Sequence, residues 1–169
     1  MNKAQVKSAL SFQNKIVDLV PYHLALHKAW IDKYGMQVIA DNYRAIRFLE
    51  HVDGLVQYGE NYPKEWREKH EAVEKFIDDA LENSNEYMKV VTAPEIREHI
   101  KKPGAPKTDI GSPIWDFGHR LPWVDANYLL DILRIVPDAR FARPNNVHSP
   151  IYFNGKNAEG ILLPLRQGE

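Results

Sequence analysis

Over 124–136 the apolar residues fall on one side of a helix, with Leu129, Ile132, Leu133 and Val136 recurring at helical spacing. Asp125 stands where an N-cap carboxylate accepts from the orphan amides of the first turn. Val124 just outside can pack on Leu129, and Pro137 stops the run. Three short β-rich runs follow: Arg140-Phe141-Ala142, Pro150-Ile151-Tyr152-Phe153 and the stretch 160–165. The breaks between them, Pro144-Asn145-Asn146 and Asn154-Gly155-Lys156-Asn157, read as hairpin turns. The C-terminal third is predicted to be helix, strand, strand, strand.

Upstream, Val6, Ala9, Leu10, Phe12 and Ile16 predict an amphipathic helix over 2–17, ended by Pro21. Leu24 and Leu26 alternate with His23, Ala25 and His27, which predicts a half-buried strand there and a turn at Lys33-Tyr34-Gly35 into a second strand over 36–40. The stretch 43–58 fits strand and helix equally. A charge-dense helix is predicted over 63–83, with Trp66, Val73, Phe76, Ile77, Ala80 and Leu81 as its apolar stripe and Pro63, Glu65 and Glu68 at its start. Thr92-Ala93-Pro94-Glu95 has the pattern of a capping box opening a shorter helix through Ile96 and Ile100, and a Pro/Gly linker follows over 101–107.

The text VDANYLLDILRIVPDARF...SPIYFNGKNAEGILLPLR resembles the last half-domain of the bacterial DNA polymerase III β sliding clamp. In that family a helix of the form V-x-x-x-Y-L-L-D-x-L precedes antiparallel strands, and the last strand ends in V-M-P-M-R-like text. Earlier, the stretch 36–45 is similar to the clamp strand that runs into an A-T-D-G-x-R-L-like turn, with Asn42 where the family often has Gly. The resemblance implies an α+β fold: one clamp-like domain over 1–169, two helices packed on antiparallel strands, with 60–103 as a helical insertion. It also implies a non-enzymatic protein-binding module linked to DNA replication or its takeover, of the kind bacteriophages and mobile elements encode. In clamps the terminal apolar strand helps form a groove for short peptides of replication proteins, and the matching positions here are Ile161, Leu163, Pro164, Leu165 and Arg166. That groove is shared with a preceding domain, so a complete groove in this chain is expected to require self-association. A one-domain chain would need six copies to encircle DNA. A homodimer through exposed strand edges is the simpler expectation.

Charge changes the partner. With 22 basic and 23 acidic residues the formal charge is −1, so nothing draws the chain as a whole to nucleic acid, and weak or no DNA binding is expected. Lys3, Lys7 and Lys15 read as a solvated helix face. At 169 residues the chain fits one domain, and 44% hydrophobic with 27% charged residues is ordinary for a globular protein. The absence of cysteine excludes disulfides, thiolate catalysis and Cys-based zinc sites. The N-terminus lacks a signal-peptide pattern and no run is long enough to span a bilayer, so the expectation is a cytoplasmic protein without membrane contact.

No catalytic residues, cofactor or metal site are assigned. His23 and His27 lack a third ligand nearby in sequence. Asp116-Phe117-Gly118 matches the magnesium triplet of kinases, but no Gly-rich loop or catalytic loop accompanies it, so it reads as a turn between strands. Two other functions compete with the clamp-like module. One is an inhibitor or decoy that binds a host enzyme through the helical insertion, with Trp66 and Phe76 as contact residues. The other is a small hydrolase built from scattered carboxylates and histidines. Trp115 and Trp123 flank a Pro/Gly/His stretch and read as core residues or as a surface anchor.

Overall fold

The computed structural model describes residues 1–167. Helix α1 (Lys3–Leu19) begins on a capping box: the Asn2 side chain accepts from Gln5 N–H, and the Gln5 side chain accepts from Asn2 N–H. A 3₁₀ turn over Leu24–Leu26 leads to strands β1 (Trp30–Ile31), β2 (Gln37–Ala40) and β3 (Arg44–Phe48). Helices α2 (Lys64–Glu82) and α3 (Ala93–Lys101) follow, the latter capped by Thr92, whose hydroxyl accepts from Glu95 N–H. Strands β4 (Ile114–Asp116) and β5 (Trp123–Asp125) form a separate ribbon. Helix α4 (Ala126–Ile135) starts on Asp125, which accepts from Asn127 and Tyr128 N–H, and β6 (Arg140–Phe141), β7 (Ile151–Asn154) and β8 (Ala158–Leu162) close the chain. The fold is α+β, in one small domain.

The main sheet is antiparallel throughout, in the order β1-β2-β3-β8-β7-β6. The last two strands in sequence therefore enter beside the third. Every residue of β2 and β3 is buried, because helices cover both faces. Arg44 and Arg47 are three residues apart on β3 and so point to opposite faces. Arg44 reaches α1 and α4, lying 4.5 Å from the Phe12 ring and 4.2 Å from the Tyr128 ring. Arg47 reaches Asp78 on α2. Gly160 sits mid-sheet on β8, where a Cβ would come within 2.0 Å of the Ala45 carbonyl oxygen, so no larger residue fits without moving β3.

Three expectations change. The alternation at 23–27 is a 3₁₀ turn and not a strand: Leu26 N–H bonds His23 O, His27 N–H bonds Leu24 O, and the buried pair Ala25 and Leu26 is consecutive while Leu24 faces outward. Beyond Phe48 the ambiguous stretch leaves the sheet, and two glutamine side chains take the place of strand partners. Gln37 exchanges hydrogen bonds with the backbone of Val52, and Gln13 does the same with Val56. On α2, the residues turned inward are His70, Glu74, Ile77 and Ala80, whereas Phe76 and Leu81 are exposed. The Asp116-Phe117-Gly118 turn does join β4 to β5, with Gly118 at φ +136° and its N–H bonded to the Asp116 carboxylate.

Each edge of the main sheet carries one short backbone bridge. Ala29, leading into β1, pairs with Val56 and Tyr58, and β6 is flanked by 85–88, where Met88 N–H bonds Phe141 O. Among the described residues no helix is long and apolar enough to cross a membrane. The segment 60–103 contributes Ile77, Met88, Val91 and Ile96 to the same continuous core as the rest of the chain.

Candidate functional site: an apolar groove along α2

On the α2 face of the sheet, Ala45 pairs with Ile161 across β3 and β8. Leu163 follows two residues on, its N–H bonded to Tyr43 O. Opposite them, α2 presents Val73 and Phe76. These side chains enclose a cavity of about 300 Å³ with an almost wholly apolar lining, open to solvent and rimmed by Tyr43 and Pro150. Phe76 is 57% exposed although its ring lines the cavity. An exposed aromatic beside an apolar hollow is the arrangement expected of a surface that receives a partner side chain.

The rim is fixed from below. Asp41 accepts from Tyr43 and Arg44 N–H through one carboxylate oxygen and from the Arg44 guanidinium through the other, while Arg44 Nη1 reaches Asp131 on α4 at 2.8 Å. Both Asp41 and Arg44 side chains are 1% exposed and neutralise each other. The turn at 41–43 is therefore held rigid, and Tyr43 stacks on Tyr128 at 5.3 Å. Along α2 the hollow continues past Phe76 and Pro150 into a second one of about 300 Å³, lined by Asp79, Asn83, Asn145, Asn146 and Ser149. Both hollows are mainly apolar, the second with polar side chains at its margin. From Lys69 to Asn83 together they follow about 21 Å of helix, the length of about six extended residues.

Of the residues singled out in the sequence, Phe76, Ile161 and Leu163 meet in this groove, although they belong to two rival surfaces when read from sequence. Pro164, Leu165 and Arg166 lie beyond the end of β8. Leu165 N–H bonds Trp123 O, which carries the tail away toward the β4–β5 ribbon and leaves Arg166 exposed. Trp66 is not in the groove and packs on Tyr58 at 5.3 Å. Tyr43, Pro150 and Lys69 also line the hollow; Tyr43 and Pro150 lie in the clamp-like stretches, but nothing in the sequence marked either as a rim.

The second wall of the groove comes from α2 of the same chain. Trp115 lies against the His99 ring at 5.0 Å, a packing contact between the ribbon and α3. No family model, no curated protein and no solved structure matches this chain.

Proposed function

We propose that this chain is a non-catalytic protein-binding module whose working surface is the α2 groove, and that it takes a short peptide segment from a protein of the replication machinery. The observation that carries the reading is the meeting of Phe76 with Ile161 and Leu163 around one apolar hollow. The resemblance of the terminal unit to sliding clamps supplies the partner class, because there the corresponding strand receives short peptides of polymerases. A protein partner also suits the net charge of −1, which offers no general attraction to DNA.

The same groove absorbs the inhibitor reading, since a host enzyme would meet the exposed face of α2 at Phe76. The test is fluorescence anisotropy with a labelled peptide from a polymerase tail that docks on sliding clamps, titrated against the wild-type chain, Phe76→Glu and Leu163→Glu. Saturable binding that weakens at least about tenfold in both variants, with unchanged thermal melts, supports the proposal. Equal affinity in all three proteins contradicts it.

A further inference from the structure

On the other side of α2 lies a cleft of about 430 Å³, unrelated to the groove, walled by Tyr58, Tyr62 and His70 and reaching down to Glu74. Its aromatic wall is built in register. His70 is fully buried, stacks flat on Trp30 at 4.0 Å with 3° between the planes, and has both ring nitrogens engaged. Nε2 lies 2.6 Å from the Ala25 carbonyl, which can only accept, so Nε2 carries the proton and Nδ1 accepts from the Tyr62 hydroxyl at 3.2 Å. Tyr62 is thereby fixed at 5.1 Å from His70, and Tyr58 stands 5.7 Å from both.

Glu74 is the second, independent observation. It is only 6% exposed, yet it lines the cleft. Its Oε1 accepts from Lys33 N–H, and Oε2 makes no hydrogen bond among the described residues. The Trp30 indole N–H lies beside it and favours the charged carboxylate, but falls short of hydrogen-bond geometry and is itself left without an acceptor. Burial raises the Glu74 carboxyl above its usual range, with the Lys33 amide pulling the other way. Arg47 favours the charged carboxylate only through space and is itself bonded to Asp32, Asp78 and Glu159, so this deep carboxylate has a free oxygen at the end of a cleft and no cationic partner in direct contact.

The other charges of the cleft do not supply that partner. Asp32 is taken by Arg47 at 2.6 Å, and Lys33 by Asp78 at 3.4 Å. That leaves Glu60, Glu71 and Glu74 facing Arg67, whose guanidinium lies 5.5 Å from the Tyr62 ring centre. The chain thus already holds a guanidinium against this aromatic wall. We propose that the cleft binds a guanidinium group, stacked on Tyr62 in the position Arg67 now holds and hydrogen-bonded to Glu74 Oε2, from an arginine side chain of a protein or from a free guanidino compound. A guanidinium suits the site better than other cations: it is planar, weakly hydrated and donates in a fork, whereas a quaternary ammonium has no proton for Glu74 and a primary ammonium holds its water.

The test is titration of the full chain with methylguanidinium, methylammonium and tetramethylammonium, read from the aromatic NMR signals of Tyr58, Tyr62 and His70. Methylguanidinium should saturate at roughly 1–10 mM and bind more tightly than either ammonium. Glu74→Gln should weaken it about tenfold, and Arg67→Ala, a surface change that leaves folding intact, should tighten it by removing the competing cation. Free L-arginine and acetyl-arginine methylamide are then compared; saturable binding of either supports the site, and the tighter one names the source. Shifts that do not saturate, tetramethylammonium binding as tightly as methylguanidinium, or an affinity unmoved by Arg67→Ala would overturn the proposal.

Discussion

On one face of the sheet, α1 and α4 pack through Phe12, Ile16, Leu129, Ile132 and Leu133, all part of the apolar core, with Arg44 sandwiched between two rings and closed by Asp41 and Asp131. On the other, α2 adds a buried charge network to the core contacts of Ile77 and Ala80. Arg47, only 2% exposed, binds Asp32 at 2.6 Å, Asp78 at 3.0 Å and Glu159 at 3.1 Å, while its Nη2 has no partner. Glu159 also receives the Tyr152 hydroxyl at 2.6 Å, and burial with that contact pushes the phenol pKa well up. The contrast matters for function. Helix α2, which sets buried Ile77 and Ala80 beside the polar residues His70 and Glu74, has an apolar groove on one flank and an aromatic cleft on the other, whereas the hollow between α1 and α4 is lined mainly by charged and hydroxyl side chains.

The largest break in this comparison is Arg47→Leu. It leaves the buried Asp32 and the mostly buried Glu159 without their cation, while Asp78 keeps Lys33, so a loss of about 3–5 kcal/mol is expected in urea unfolding. Leu133→Ala on the apolar face should cost about 2–5 kcal/mol through lost burial and a residual cavity, and its effect should be independent of pH, unlike a change at His70 or Glu74 on the α2 face. Next in size is Asp125→Ala, which removes the cap of α4 and should lower stability by about 1 kcal/mol.

A smaller effect separates the faces by pH. Burial lowers the His70 pKa below its ordinary 6.5, with the Ala25 carbonyl partly offsetting it, so the unfolded chain binds the proton first. The stability His70 contributes is present above pH 6.5 and declines as pH falls toward its folded value, with a slope no steeper than about 1.4 kcal/mol per unit for one proton. Glu74, raised in the fold, acts in the opposite direction, favouring the folded state as pH falls toward the usual carboxylate range. Urea melts of wild type and His70→Gln across pH 4.5–7.5 isolate the histidine: their difference should shrink on acidification below the ordinary value of 6.5. A difference constant with pH would remove His70 from the account.

These two faces were also unequally legible in the sequence. The α4 unit could be read because its cap and its stripe follow local rules that its packing obeys, and Thr92 and Asp125 cap where the pattern says they should. Strand β2 was readable as a strand over 36–40, whereas β3 hid its period because both its sides are buried, and a residue such as Arg47 reads as surface until its three acidic partners are seen together. On α2, Trp66, His70, Glu74 and Asp78 recur every four residues, with Tyr58 and Tyr62 continuing the interval upstream. A polar stripe of this kind normally faces water. Here it faces the sheet, and the apolar Phe76 is left outside. The alternation of Ile161 and Leu163 was readable, but their meeting with Phe76 is a contact between distant segments that no local pattern encodes.

The most direct test of the groove as the working surface is methyl NMR of the chain titrated with the polymerase-tail peptide. The account predicts shifts confined to Leu26, Val73, Ile161 and Leu163, which line the hollow, with Leu129 and Leu133 on the opposite face unmoved. Saturable binding with shifts at Ile31 beside the aromatic cleft, or at no methyl of the groove, would contradict it.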